Sequence, residues 1–152
     1  MSSKLILFKL NTKMSNHLQW MIVRNRSSFL VKKRNINKPF SLDPLNMKKI
    51  HSPRYSGTIQ KNAIMIEPHS SKKGVELIYK KKRFQKRPVK TLERVPLTKN
   101  ARRTMGVIKK FVKKNKYRKD LKMLALRRAS AILKSQRPVV PKKKTSFKKK
   151  PE

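Results

Sequence analysis

Along the chain, apolar residues recur at helical spacing in three stretches and gather in short β-like runs in four others. Lysine, arginine and proline fill the intervals. The longest helical stretch is residues 115–139, NKYRKDLKMLALRRASAILKSQRPV, where Leu121, Leu124, Ala125, Ala129, Ile132 and Leu133 repeat three and four apart. Asp120 is placed to cap its N-terminus, where a carboxylate suits the positive end of the helix dipole. Lys122, Arg127, Arg128 and Lys134 take the other positions, and Pro138 sets the latest end. One side of this helix can pack while the other meets phosphate. A second helix is predicted to start at Thr98 or Asn100, with Ala101, Met105, Ile108 and Val112 on one face and Phe111 beside it. Gly106 weakens it by about 1 kcal/mol relative to alanine. The short link over residues 113–118 predicts that the two helices form a hairpin.

Nearer the start, Ser15 or Asn16 caps a short helix through Val23, with Leu18, Trp20, Met21 and Ile22 near a core. Residues 25–28 read as a turn and 28–32, with Phe29, Leu30 and Val31, as a strand. Residues 35–54, interrupted by Pro39, Pro44 and Pro53, read as an irregular connection. The β signal resumes in YSGTIQ (55–60), NAIMIEP (62–68) and GVELIY (74–79), with a turn-rich connection over 68–74. The expected fold class is α+β. A small antiparallel sheet packs against the short N-terminal helix, followed by a C-terminal helical hairpin and a basic extended tail. The expected core draws on Trp20, Phe29, Val31, Ile59, Ile64, Ile66, Val75, Leu77 and Tyr79. A large aromatic beside Met, Ile and Val is more often core than a stacking platform, so Trp20 is placed there.

Composition changes the picture from fold to partner. The 152 residues hold 44 Lys and Arg against six Asp and Glu, a formal charge of +38. Self-repulsion on that scale disfavours a compact state unless a polyanion neutralises it. The excess is spread from end to end, which is unlike a basic arm on a neutral enzyme. No run approaches the roughly 18 apolar residues needed to span a bilayer, so nucleic acid is the expected partner and a membrane is not. Without cysteine there are no disulfides or thiolate metal sites, and His17, His51 and His69 form no recognisable ligand set with the scattered acids. Residues 1–13, MSSKLILFKLNTK, read as an accessory extension or an upstream start before Met14. A mitochondrial presequence is the weaker alternative. The expected organisation is therefore an extension (1–13), a small α+β unit (14–88), a helical region (89–139) and a basic tail (140–152) with too few apolar residues to build a core when free.

Catalysis finds little material. The chain has three glycines and shows no phosphate-cradling loop, nucleophile elbow or spaced carboxylate pair, so no enzyme activity and no cofactor are expected. Binding nucleic acid needs cations for phosphate and planar groups for bases, and both are present. The candidate RNA-binding residues are Lys32, Lys33, Arg34, Lys80, Lys81, Lys82, Arg83, Arg102, Arg103, Lys116, Tyr117, Arg118, Arg127, Arg128, Lys134 and Arg137. The lysines and arginines would neutralise phosphates and release counterions, and arginine can also bridge two phosphate oxygens or stack on a base. Tyr117, flanked by Lys116 and Arg118, either stacks on a splayed base or anchors the two helices. The basic run KKKRFQKR (80–87) is equally a solvated loop or a nuclear import signal.

SNHLQWMIVRNRSSFLVKKRN near the start and KNKYRKDLKMLALRRASAILKSQRPV near the end resemble the eukaryote-specific family of large-subunit ribosomal protein twenty-eight, the L-twenty-eight-e family. RYSGTIQ, Gly74-Val75 and LTKNARRT link the two blocks more weakly, and the similarity covers Met14 to about Val140. The resemblance implies a cytosolic large-subunit role, with large-subunit rRNA and neighbouring ribosomal proteins as partners, no homo-oligomer, and transit through nucleus and nucleolus for assembly. It also implies a small α/β domain with helical C-terminal parts. A nucleolar assembly factor of the same superfamily is an alternative, although that branch carries early cysteines and a long acidic C-terminus. A linker-histone-like DNA-binding protein and a mitochondrial ribosomal protein are further alternatives. The extension 1–13 and Lys119, where the family often has proline, depart from the pattern.

Overall fold

The computed structural model describes residues 15–71, 73–85 and 87–138. The extension 1–13 and the tail 140–152 lie outside them. Helix α1 (Asn16–Val23) starts where the Ser15 side chain accepts a hydrogen bond from the Leu18 N–H. Strands β1 (Leu30–Lys33) and β2 (Ile36–Ser41) then form a two-stranded antiparallel hairpin. A second, three-stranded antiparallel sheet has the order β3 (Ile64–Pro68), β4 (Val75–Lys80), β5 (Leu92–Leu97). A one-turn helix, α2 (Pro88–Thr91), leads into β5. Helix α3 (Ala101–Lys114) is capped by the Asn100 side chain, which accepts from the Arg103 N–H. A 3₁₀ turn (Lys119–Leu121) then opens α4 (Lys122–Ser135).

The fold class is α+β as expected, with the sheet divided in two. The three-stranded sheet is covered by the α3–α4 hairpin and not by α1. Ile64, Ile66, Val75 and Leu77 meet Ile108 and Val112 of α3 and Ala125 and Ala129 of α4 in one cluster, each at most 2 % exposed. The two alanines let α4 lie close to the sheet. The core thus joins residues on both sides of the boundary at 88. Trp20, Phe29 and Val31 fall outside this cluster and are only partly buried. Trp20 instead lies 4.7 Å from the His51 ring, beside Val23, Phe29 and Ile59. α1 buries no residue completely.

Three other expectations are corrected. Residues 35–54 are not wholly irregular: Arg34 and Asn35 make a two-residue turn, with Asn35 at φ 61°, that folds β2 back on β1 despite Pro39. β5 was not expected. It holds Pro96, which an edge strand tolerates because one row of its backbone groups needs no partner. YSGTIQ is not a strand. The Asp43 carboxylate, 1 % exposed, accepts the N–H groups of Gly57 at 2.7 Å and Thr58 at 3.2 Å and folds that segment into turns. A Cβ on Gly57 would sit 2.2 Å from the Leu45 Cβ, so the loop closes only over glycine. Asn46 does similar work next to it, accepting the Lys48 and Lys49 N–H groups and donating to the Ile50 carbonyl.

Candidate nucleic-acid interface

The helical period sorts the cations of α3. Thr104, Ile108 and Val112 are buried against the sheet and α4. Arg102, Arg103, Lys109, Lys110, Lys113 and Lys114 occupy the opposite side, and all six are exposed. At 1.5 Å rise per residue they line roughly 18 Å of helix. α3 contains no acidic residue, and none of the six joins an ion pair among the described residues. Among the described residues the acids are occupied elsewhere: Asp43 by backbone N–H groups, Glu67 and Glu76 by Arg94, Glu93 by Lys81, and Asp120 by Arg118 and Arg54. Arg127 and Lys134 of α4 join Lys109 of α3 around a groove floored by Met105, Leu126 and Ala131. The result is a continuous cationic surface without a counter-charge of its own. Such a surface suits a phosphate backbone.

The predicted RNA-binding residues do not all reach it. Lys32, Lys33, Arg34, Lys82, Arg83, Arg102, Arg103, Lys116, Arg127, Lys134 and Arg137 are exposed. Lys33 lies over the Phe40 ring and Lys82 over the Tyr117 ring, at 5.8 and 6.0 Å. The other five have partners within the fold. Lys81 pairs with Glu93. The Lys80 ammonium donates to the Gly57 and Gln60 carbonyls, and burial lowers its pKa while the nearby Asp43 charge opposes that shift. Arg128 donates from Nε to the Ile66 carbonyl at 2.7 Å, covering an acceptor on the edge strand β3.

Arg118 and Tyr117 complete the seal. With backbone φ at 44°, Arg118 sends its guanidinium to the Asn62 carbonyl at 3.1 Å, the Arg54 carbonyl at 2.8 Å and both Asp120 oxygens. Asp120 therefore does not cap α4. Burial alone would raise its carboxyl pKa, but hydrogen bonds and charge from Arg118 and Arg54 outweigh this and hold it below the ordinary range. Tyr117 is 3 % exposed, and its hydroxyl donates to the Lys80 carbonyl at 2.7 Å and the Ala63 carbonyl at 3.3 Å. Its ring packs with Tyr79 and Phe111. Of the two sequence readings, the anchor is the one this geometry satisfies, because the ring has no face open to a base. Burial pushes the phenol up to about 12.

Sequence reasoning missed Lys109, Lys110, Lys113 and Lys114. The signal was present: once Ile108 and Val112 are assigned inward, the paired lysines on either side of Phe111-Val112 fall outward. Among the described residues no group of His, Asp and Glu could hold a metal, and no helix is long and apolar enough to cross a membrane.

Comparison with known proteins gives the surface a setting. The model of the Ribosomal L28e protein family matches residues 18–135. The chain is 38 % identical over 123 residues to the large ribosomal subunit protein eL28 of Caenorhabditis elegans, covering 81 % of this chain and 91 % of the relative. It is 35 % identical over 128 residues to the protein of the same name from Schizosaccharomyces pombe, covering 82 % and 94 %. The match runs from α1 to the last turn of α4, taking in both sheets and the cationic helix pair, and the chain belongs to the ribosomal L28e protein family.

Proposed function

We propose that this chain is a structural constituent of the cytosolic large ribosomal subunit, binding rRNA and tying together RNA segments that would otherwise repel one another. The observation that carries the reading is the outward face of α3, six exposed cations with no acid of the fold set against them, in a chain of net charge +38. Lys and Arg there neutralise phosphates and release counterions, and the protein acts by holding geometry, without turnover. The partners are large-subunit rRNA and adjacent ribosomal proteins. The working site is the cytoplasmic ribosome, reached through nuclear and nucleolar assembly.

Sucrose-gradient sedimentation of a lysate, with and without RNase, tests this. The expected result is co-migration with large subunits and translating ribosomes, lost on RNase treatment. Confinement to nucleolar pre-ribosomal particles would assign an assembly role instead, and absence from ribosomal fractions would remove the proposal. Among single sites, Arg127→Glu is the informative charge reversal on α4. Arg128→Glu breaks the bond to the Ile66 carbonyl and tests folding as much as binding.

A further inference from the structure

Gly106 stands in the middle of α3, at a position where the fold has no use for a glycine. A Cβ built there meets no heavy atom within 4 Å, so packing does not require its absence. Its backbone is helical, and the positive-φ glycine among the described residues is Gly74, so conformation does not require it either. Helix propensity argues against glycine in a helix interior. What distinguishes the position is its surroundings. Arg102 and Arg103 lie four and three residues before it, and Lys109 and Lys110 three and four after, so the four cations stand one turn to either side of a notch without a side chain. All four are exposed and none has an ion-pair partner among the described residues. Glycine where another backbone must come close is a recurring use of the residue.

We infer that the outward face of α3 seats an RNA sugar–phosphate backbone across Gly106, which is the point of closest approach. Arg102 and Arg103 close on the strand from one side and Lys109 and Lys110 from the other. The inference deepens the rRNA-binding reading and rests on it. The ligand chemistry follows from the flanking charge: four cations and no acid around a side-chain-free notch fit a polyanionic backbone and not a protein surface of mixed charge. The contact is steric as well as electrostatic, so a neutral methyl group should disturb it.

The test uses the full chain and deproteinised large-subunit rRNA. Gly106→Ala should raise Tm by roughly 3–5 °C, because alanine favours the helix. The same change should weaken rRNA binding roughly threefold to tenfold, a modest steric penalty. Gly106→Leu should weaken it further. The dependence of affinity on salt should stay that of the parent in both, since no charge is removed. A more stable protein that binds less well is a combination that damage to the fold does not produce. Parental affinity in both variants would overturn the inference while leaving the ribosomal reading intact. Variants that bind free rRNA normally but fail to enter large subunits would also overturn it, assigning the notch to a protein neighbour. If the parent chain itself does not bind rRNA, both readings fall together.

Discussion

α3 and the segment that follows it, the link and α4, carry similar numbers of cations and use them differently. On α3 the six cations all face outward and have no ion-pair partner among the described residues. In the link and α4, Arg118 and Arg128 turn inward onto the carbonyls of Asn62, Arg54 and Ile66, while Arg127 and Lys134 stay outside. The difference lies in what each helix packs beside. α4 and the link run past β3, an edge strand, and the chain leading into it, whose carbonyls need donors. α3 presents no such acceptors to its outer cations. In a chain of charge +38, a cation's density or neighbours in sequence do not say whether it belongs to the fold or to a ligand. An unpaired carbonyl nearby decides.

The largest effect should come from Arg118→Ala. It strips hydrogen bonds from two carbonyls and the Asp120 carboxylate, and should lower stability by about 2–3 kcal/mol in urea unfolding at pH 7. The Asp120 carboxyl is held below its unfolded value of about 3.9, so its contribution is present above that pH and lost as pH falls through the folded value. The gap between parent and variant should therefore narrow below about pH 4. An Arg118→Ala chain as stable as the parent at pH 7 but defective in RNA binding would break the comparison.

Arg128→Ala should cost about 1.5 kcal/mol, against less than about 0.5 for its exposed neighbour Arg127→Ala. Equal losses in the two variants would show that the bond to Ile66 does not separate them.

Tyr117→Phe should cost about 1 kcal/mol at pH 7, for the bonds to Lys80 and Ala63. The folded phenol lies at about 12. Its unfolded value is about 10, so its stabilising effect is complete below pH 10 and disappears as pH rises through 12. Alkaline unfolding curves of parent and variant should converge over that window. A constant gap would place the hydroxyl outside the core.

The smallest effect on stability should come from Lys109→Ala combined with Lys110→Ala, within about 0.5 kcal/mol of the parent. The same pair should flatten the slope of log affinity against log salt by about 1.5. An unchanged slope would remove both lysines from the interface.

Read from the residues, α1, α3 and α4 were legible because periodicity agreed with a starting signal or a proline stop. Ser15 and Asn100 do cap, whereas Asp120 does not, because two arginines hold its carboxylate more strongly than backbone N–H groups at a helix start. β3 and β4 were legible as apolar runs. β2 was hidden by Pro39, and β5, which also holds a proline, was not assigned, since the sequence does not show that a strand will be an edge. YSGTIQ was misread because the carboxylate that folds it belongs to Asp43, fourteen residues before Gly57.

By itself the sequence determined the α+β class, the helical hairpin, the large excess of positive charge and the family resemblance. These follow from local periodicity, from charge that no folding can change, and from blocks of residues kept in order. Only the tertiary structure decided that the hairpin, and not α1, covers the sheet, that Tyr117 is an anchor, and that Arg118 and Arg128 serve the fold. Those outcomes depend on which carbonyls an edge strand leaves open and which side chains arrive beside them, a matter of positions more than fifty residues apart in the chain.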